Sequence, residues 1–224
     1  MYTSIGSRNE SALEVLVSEL GHVSLSNRPD AWSWRISDDD SFSVQSTRSH
    51  IDNSLLPSLS PSTRWSKLLP RKVNVFIWRL ILDRLPNRLN LSLRGLDISS
   101  IACPLCNMGM ESNDHVFFGC DTASSMWRLI RVWTDINMPL FSSWFDWLHW
   151  LDNWRASKDS KDRVYVISAA SLLVLWRYRN SITFNSHPTR KSDLFDSIRL
   201  FSFSWLKFRG HKVNCWNSWL NKPL

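Results

Sequence analysis

The sequence is poor in the residues and motifs that several large classes of protein require. Its 224 residues include six Gly and nine Pro, too few for a collagen-like or linker-type chain. Four Cys are too few for a disulfide scaffold at this length. A Gly-rich phosphate loop, an HExxH motif and a GxSxG motif are all absent. The sequence therefore gives no support to the nucleotide-binding, zinc-protease or serine-hydrolase classes that these motifs define.

Long hydrophobic runs are also missing. The longest apolar stretch covers residues 164–176 and contains two serines, whereas a membrane-spanning helix needs about 20 apolar residues. The first residues lack the positive start and apolar stretch of a secretory signal. We therefore expect an intracellular protein, nuclear or cytoplasmic and not secreted, with reduced thiols and no membrane partner.

The remaining composition is that of a globular protein with an excess of tryptophan. Hydrophobic residues make up 43% and charged residues 21%, which excludes wholesale disorder. The 14 Trp stand far above ordinary usage. So much indole predicts a large core or several aromatic clusters between helices, with most Trp in the core.

The spacing of apolar residues predicts a mainly α fold with one small β-hairpin. Apolar residues recur at helical intervals in several segments, namely residues 12–20, 71–85, 86–93, 121–133, 144–154, 159–180 and 192–209. Alternating apolar residues at 31–36 and 42–44, on either side of an acidic turn, predict the hairpin. The Ser/Pro-rich residues 53–63 predict a loop.

Positive charge is concentrated in one short segment. The net charge is +7, and residues 64–94 alone contain eight basic side chains and one acidic one. Residues 190–224 form a second basic block. Such clustering is typical of a phosphate-binding surface, although a solvated helix face is the other interpretation. We expect Arg79 to pair with Asp83 four residues later. The candidate nucleic-acid contacts are Arg64, Lys67, Arg71, Lys72, Arg84, Arg88 and Arg94.

Three of the four cysteines and one histidine lie within 18 residues. Cys103 and Cys106 form a Cys-x2-Cys pair, His115 follows after eight residues, and Cys120 after four more. This spacing, with a short strand-to-helix segment between His115 and Cys120, suits one tetrahedral Zn²⁺ in a closed structural site. Three unrelated buried cysteines, or a redox pair in Cys-x2-Cys, are the alternatives. Cys215 is expected to be a core or surface thiol.

The motifs around this cluster resemble the plant reverse transcriptase zinc-binding domain over roughly residues 30–220. One departure is Asn87, where that family more often has Thr. The matching motifs include Trp65-Ser-Lys67, Leu69-Pro-Arg-Lys-Val-Asn-Val-Phe-Ile-Trp-Arg79, Asp83-Arg-Leu-Pro86, Asn90-Leu, Arg94-Gly95, Cys103-Pro-Leu-Cys106, Glu111-Ser, His115-Val-Phe-Phe-Gly-Cys120, Met126-Trp127 and, in the tail, Trp176-Arg-Tyr-Arg-Asn180 and Trp216-Asn-Ser-Trp219.

The resemblance implies a helical domain with a CCHC zinc-knuckle-like loop, downstream of the polymerase in a LINE-type retroelement polyprotein. It divides the chain into an N-terminal helix and connector (1–29), the zinc-binding domain (30–135) and a C-terminal Trp-rich helical region (136–224). A polymerase palm needs carboxylates that follow an apolar strand and hold two Mg²⁺, and the Asp run at 38–40 lacks that strand. No catalytic residue is therefore assigned.

We expect a non-catalytic module that is stabilised by Zn²⁺ and binds the phosphate backbone of RNA or DNA. Its expected partners are that nucleic acid and the polymerase portion of a parent polyprotein, with no small-molecule substrate. Two alternatives stay open. RNA-directed DNA polymerase activity would belong to the longer parent only, and a decayed element would leave a structural or protein-interaction domain. The nucleic-acid hypothesis loses support if Arg71, Lys72, Arg84 and Arg88 are dispersed or paired with acids.

Overall fold

A computed structural model describes residues 6–21, 29, 32–36, 41–55, 64–209 and 215–224. The chain divides into two compact units, Met1–Pro61 and Ser62–Leu224. In the first unit, helix α1 (Gly6–Leu20) includes the predicted segment 12–20, and α2 (Val44–Leu55) follows. The predicted domain boundaries at residues 29 and 135 stay predictions.

The predicted β-hairpin is not confirmed. The described residues form no strand, and Val44, assigned to the second arm, is instead the first residue of α2. Ser43 explains this start, because its hydroxyl accepts a hydrogen bond from the N–H of Ser46 at 3.0 Å and caps the helix. The rings of Trp34 and Phe42 still meet edge to face, with centroids 4.9 Å apart. The turn residues 37–40, and residues 56–63 of the predicted loop, lie outside the described residues; residues 53–55 end α2.

The second unit is helical at each segment where periodicity predicts a helix. A π-helical turn (His115–Gly119) precedes α5, and a 3₁₀ turn (Lys191–Asp193) precedes α8. No helix in the described parts of the chain is long and apolar enough to cross a membrane. The α-helices of this unit are α3 (Arg71–Ile81), α4 (Arg88–Leu93), α5 (Asp121–Thr134), α6 (Trp144–Asn153), α7 (Lys158–Phe184), α8 (Leu194–Phe208) and α9 (Trp216–Asn221).

The long helix α7 runs through the core of this unit. It packs against α8, α3 and the π-helical turn, while α5 contacts the same turn and α8. Its residues 164–172 are all buried, which explains why apolar side chains surround the helix instead of forming one stripe. The π-helical turn before α5 is therefore packed against the core of this unit.

Tryptophans join the helices, as the composition predicts. Trp144 and Trp147 stack at 4.7 Å, and Trp133 meets Trp219 edge to face at 5.5 Å. The indole N–H of Trp133 also donates to the carbonyl of Trp219 at 3.1 Å. Trp127 donates to the carbonyl of Phe117 in the π-helical turn at 2.8 Å. These indoles supply apolar area, and those of Trp127 and Trp133 also satisfy backbone carbonyls of neighbouring elements.

The turn after α3 departs from the predicted helix, which should have continued to residue 85. Asp83 adopts a left-handed conformation with φ 50°, and this ends α3 early. Its carboxylate accepts hydrogen bonds from the side-chain amides of Asn90 at 3.0 Å and Asn113 at 2.6 Å. The expected pair between Arg79 and Asp83 is therefore wrong, because Asp83 has left the helix and points to these two amides.

Asn87 extends this buried network toward the cysteine-rich loop. Its side-chain carbonyl caps α4 by accepting from the N–H of Asn90 at 2.7 Å, so α4 begins after Pro86 rather than at it. Its side-chain amide donates to Asn113 at 2.9 Å. The segment that contains α4 is thus hydrogen-bonded to the residue two positions before His115.

Candidate metal centre

The first two cysteines lie in a tight turn at the end of a short antiparallel pairing. Ala102 and Met110 form an isolated β-bridge. The N–H of Cys103 donates to the carbonyl of Gly109, and the N–H of Asn107 donates back to the carbonyl of Cys103, both at 2.8 Å. This reversal turns Cys103 and Cys106 toward the same side of the loop.

The histidine and the last cysteine lie at the two ends of the π-helical turn. The N–H of Cys120 donates to the carbonyl of His115 at 2.6 Å, five residues earlier. A hydrogen bond of this i→i+5 type places residues five apart on one side of the helix, which an α-helix does not do. The predicted strand-to-helix connection is wrong here, because a widened helical turn aligns His115 with Cys120.

The four side chains converge on one point. One ligand atom from each of Cys103, Cys106, His115 and Cys120 lies within 4.8 Å of the others. The Nε2 atom of His115 is 3.2 Å from the sulfur of Cys106. Cys103 and Cys120 are buried, while Cys106 and His115 are half-buried. Three sulfurs and one imidazole nitrogen are the donor set that Zn²⁺ prefers, so this cluster could hold a metal ion.

Gly109 makes room for the imidazole. A Cβ atom at this position would lie 3.0 Å from Cε1 and 3.2 Å from Nδ1 of His115. Both distances are shorter than ordinary van der Waals contact, and the ring is held by the π-helical turn. A side chain at residue 109 would therefore push the imidazole out of its present position by a few tenths of an ångström.

The two buried thiols of the cluster, Cys103 and Cys120, differ in pKa. A hydrogen bond between the two buried thiols raises the pKa of Cys103 and lowers the pKa of Cys120 to about 5. The N–H of Thr122 and the charge of His115 also stabilise the Cys120 thiolate. Metal binding requires thiolates, and Cys120 is the sulfur that this environment favours in that form.

A buried ion pair that sequence reasoning missed joins the loop to α7. Glu111 is fully buried, and Arg179 is only 2% exposed. The guanidinium of Arg179 donates to both carboxylate oxygens of Glu111, at 2.5 and 2.7 Å. The N–H of Arg88 donates to the same carboxylate at 2.7 Å. Because a buried charge needs a partner, Arg179 in a helix that is otherwise largely buried was the one signal that could have pointed to this contact.

The candidate nucleic-acid residues divide into free and engaged side chains. Arg71 and Lys72 begin α3, and both are exposed with no side-chain partner among the described residues. Arg84 and Arg94 are likewise exposed. None of these four forms an ion pair with an acid within the described parts of the chain.

Three of the basic side chains lie in different surroundings. Arg88 is half-buried and donates to the carbonyl of Ala102 at 2.8 Å, so it holds the loop. Arg64 is ion-paired with Asp152 and lies over the ring of Tyr165. Lys67 is exposed beside Arg64 in an open cleft. The structure thus keeps most of the basic segment at the surface, but it does not leave every member free.

Comparison with known proteins agrees with the cluster. Residues 42–127 match the family model described as zinc-binding in reverse transcriptase. Searches of curated proteins and of solved structures gave no significant match. The matched segment is a little over a third of the chain and contains all four clustered side chains. The matching family is that of a zinc-binding accessory domain and not of a catalytic reverse transcriptase domain, and residues 42–127 are similar to it.

Proposed function

We propose that this chain is a zinc-stabilised, non-catalytic module of a LINE-type retroelement polyprotein, and that it binds the phosphate backbone of RNA or DNA. The observation that carries the proposal is the Cys3His cluster, which lies inside the segment that matches the family. Three thiolates and one imidazole complete a tetrahedral Zn²⁺ site and leave no position for a reacting water. The metal would stabilise the folded conformation of the loop and would take part in no reaction.

The contacts around the cluster support a role for the metal in holding the basic segment. Phe117 of the π-helical turn meets Phe76 of α3 edge to face at 6.2 Å. Arg88, the first residue of α4, is hydrogen-bonded to Ala102 and Glu111 of the loop. A metal that fixes residues 103–120 would therefore also fix the surfaces of α3 and α4.

The positive charge of residues 64–94 supports nucleic acid as the binding partner. Residues 64–94 carry a surplus of positive charge equal to that of the whole chain. Arg71, Lys72, Arg84 and Arg94 are exposed and unpaired among the described residues. Cations of this kind neutralise phosphates without reading sequence, so binding should depend strongly on salt. In a parent polyprotein the module would deliver nucleic acid to the polymerase portion.

Zinc content and nucleic-acid binding test the two halves of the proposal separately. Metal analysis of the purified chain should find one Zn²⁺, and Cys106→Ser should lose it. Cys215→Ser is the matched control, because Cys215 is exposed and outside the cluster. It should retain the metal. Zinc retained in Cys106→Ser would contradict the assigned ligands.

Binding should be titrated with salt on single-stranded RNA, single-stranded DNA and duplex DNA, with zinc present and after chelation. We expect affinity to fall linearly with salt on logarithmic axes, and to fall further after chelation. No binding at low salt would move the function to the structural or protein-interaction alternative.

A further inference from the structure

An open cleft lies beside the basic segment and contains more positive charge from a distant part of the sequence. It has a volume of about 400 Å³ and lies between residues 64–68 and the first turns of α7. Lys67 lines one wall, and Lys158 and Lys161 of α7 line the other. Since α7 begins at Lys158, the positive end of its helix dipole faces the same wall.

The acidic groups at the cleft are partly neutralised. Asp152 lines the cleft and forms an ion pair with Arg64, whereas Asp159, which forms an ion pair with Arg163 at 2.8 Å, is not part of the cleft lining. Asp162 also lines the cleft. Three lysines and the helix end therefore outweigh one unpaired carboxylate, and the cleft is a positive surface.

The wall formed by residues 64–68 is held in place from two sides. The side chain of Asn74 accepts from the N–H of Ser66 at 3.1 Å and donates to its carbonyl at 2.9 Å. The hydroxyl of Tyr165 donates to the carbonyl of Arg64 at 3.2 Å. Between these anchors, Trp65 keeps 58% of its surface exposed. The indole is therefore presented at the cleft by a fixed backbone.

We propose that this cleft binds one stretch of a single-stranded nucleic acid, with Trp65 stacked on an unpaired base and Lys67, Lys158 and Lys161 on phosphates. The inference rests on the proposed function and locates it. An exposed indole beside lysines matches the stacking platform and charged groove of single-strand binding surfaces. Bases within a duplex are already stacked, so the unpaired strand is the form that this indole can recognise. Arg64 is not assigned a phosphate contact, because its guanidinium is ion-paired with Asp152.

The test measures fluorescence anisotropy of labelled 12-residue oligo(rU), oligo(dT) and a DNA duplex with the full zinc-loaded chain, between 50 and 200 mM salt. Trp65→Ala should weaken binding to both single strands by about 5- to 150-fold, which corresponds to one stacked base. It should leave the duplex affinity unchanged. Trp65→Phe keeps an aromatic face and should retain most of the affinity. Trp32→Ala is the matched control, because Trp32 is fully exposed but is not part of the cleft.

Removal of the lysines should change the salt dependence instead. For Lys158→Ala with Lys161→Ala, the slope of log affinity against log salt on single strands should flatten by about 1.4, or about 0.7 per phosphate contact. Arg128→Ala with Lys191→Ala removes the same charge from exposed positions outside the cleft and should leave the slope nearly unchanged. Zinc content and thermal midpoint of each variant show that the fold is intact.

The outcomes separate the two hypotheses. If the unsubstituted chain binds none of the three probes at 50 mM salt, the proposed function fails. If it binds them but Trp65→Ala and the double lysine variant bind equally well, the cleft is not the site and only this inference fails. Equal weakening by Trp65→Ala and Trp32→Ala would also overturn it. If free uridine monophosphate competes at the same concentration as the oligonucleotide, the cleft is a pocket for single nucleotides. The proposal that it binds a single strand would then be wrong.

Discussion

The helical body around α7 and the cysteine-rich loop at residues 101–120 belong to the same compact unit, but different forces hold them. The body buries continuous apolar surface, with Val166, Ile167 and Leu172 completely enclosed. The loop buries apolar side chains mainly in its π-helical turn, at residues 116–118, and it exposes Met108 and Met110. Elsewhere it relies on short backbone hydrogen bonds and on four converging side chains. Apolar burial acts without a ligand, whereas a cluster of thiols gains its stability only when a metal binds.

The comparison also shows where the two regions depend on each other. Glu111 belongs to the loop and Arg179 to α7, and their ion pair is the buried charged link between them. Asn113 adds a neutral link to the turn after α3. The loop is therefore fastened to the body at residues 111 and 113, outside the cluster of three Cys and one His.

Loss of the buried ion pair should have the largest effect on stability. Arg179→Met leaves the Glu111 carboxylate buried without its partner, which typically costs about 3–5 kcal/mol. Urea unfolding followed by tryptophan fluorescence measures this loss. Arg177→Met is the matched control, because Arg177 is exposed on the same helix and lies over the ring of Phe201. It should cost less than about 1 kcal/mol. Similar losses in the two variants would show that the buried pair does not fasten the loop.

Removal of the metal should affect one region and spare the other. After chelation we expect faster amide hydrogen exchange in residues 103–120, because the loop loses its cross-link. Exchange in residues 164–172 of α7 should stay slow, since that core is closed by apolar packing. Mass spectrometry of peptic peptides measures both regions in one sample. Faster exchange throughout α7 would mean that the body has no stability of its own.

Sequence reasoning succeeded where the determining contacts are local. Helical periodicity predicted α5, α6 and α7 because each element carries its own apolar pattern. The convergence of the four Cys and His side chains was predicted because they lie within 18 residues and have a spacing typical of a metal site. The early end of α3 was missed, since Asp83 is held by Asn90 and by Asn113, which is 30 residues away. The hairpin at 31–44 was proposed from alternation alone, and a cap at Ser43 favours helix instead.

The surroundings of the basic residues were predicted only in part for the same reason. A count of charges identified the segment 64–94 but could not distinguish Arg71, which is exposed, from Arg88, which holds the loop. The contact between Arg179 and Glu111 was not predicted, and Arg179 is an internal charge in the structure. Burial of a charge depends on the partner that tertiary packing brings, here 68 residues away.

A smaller effect is expected at Asn87, where the family resemblance shows Thr more often. Asn87→Thr keeps a side-chain oxygen to cap α4 but removes the amide that donates to Asn113. Caps of this kind contribute about 1 kcal/mol, and Thr retains most of that. We therefore expect Asn87→Thr to cost about 1 kcal/mol or less and Asn87→Ala about 2 kcal/mol, because Ala loses both bonds. Equal losses in urea unfolding would mean that the cap contributes nothing.

The smallest change in stability, and a clear change in binding, is expected at the start of α3. Arg71 and Lys72 are exposed at the positive end of that helix and touch neither the core nor the metal cluster. Arg71→Glu with Lys72→Glu adds negative charge where the helix dipole favours it, so the free energy of unfolding should change by less than about 0.5 kcal/mol. If each residue contacts one phosphate, the slope of log affinity against log salt on duplex DNA should flatten by about two. Arg128→Glu with Lys191→Glu, which reverses two exposed charges elsewhere, is the control. Equal flattening in both double variants would mean that net charge attracts nucleic acid without a defined contact surface.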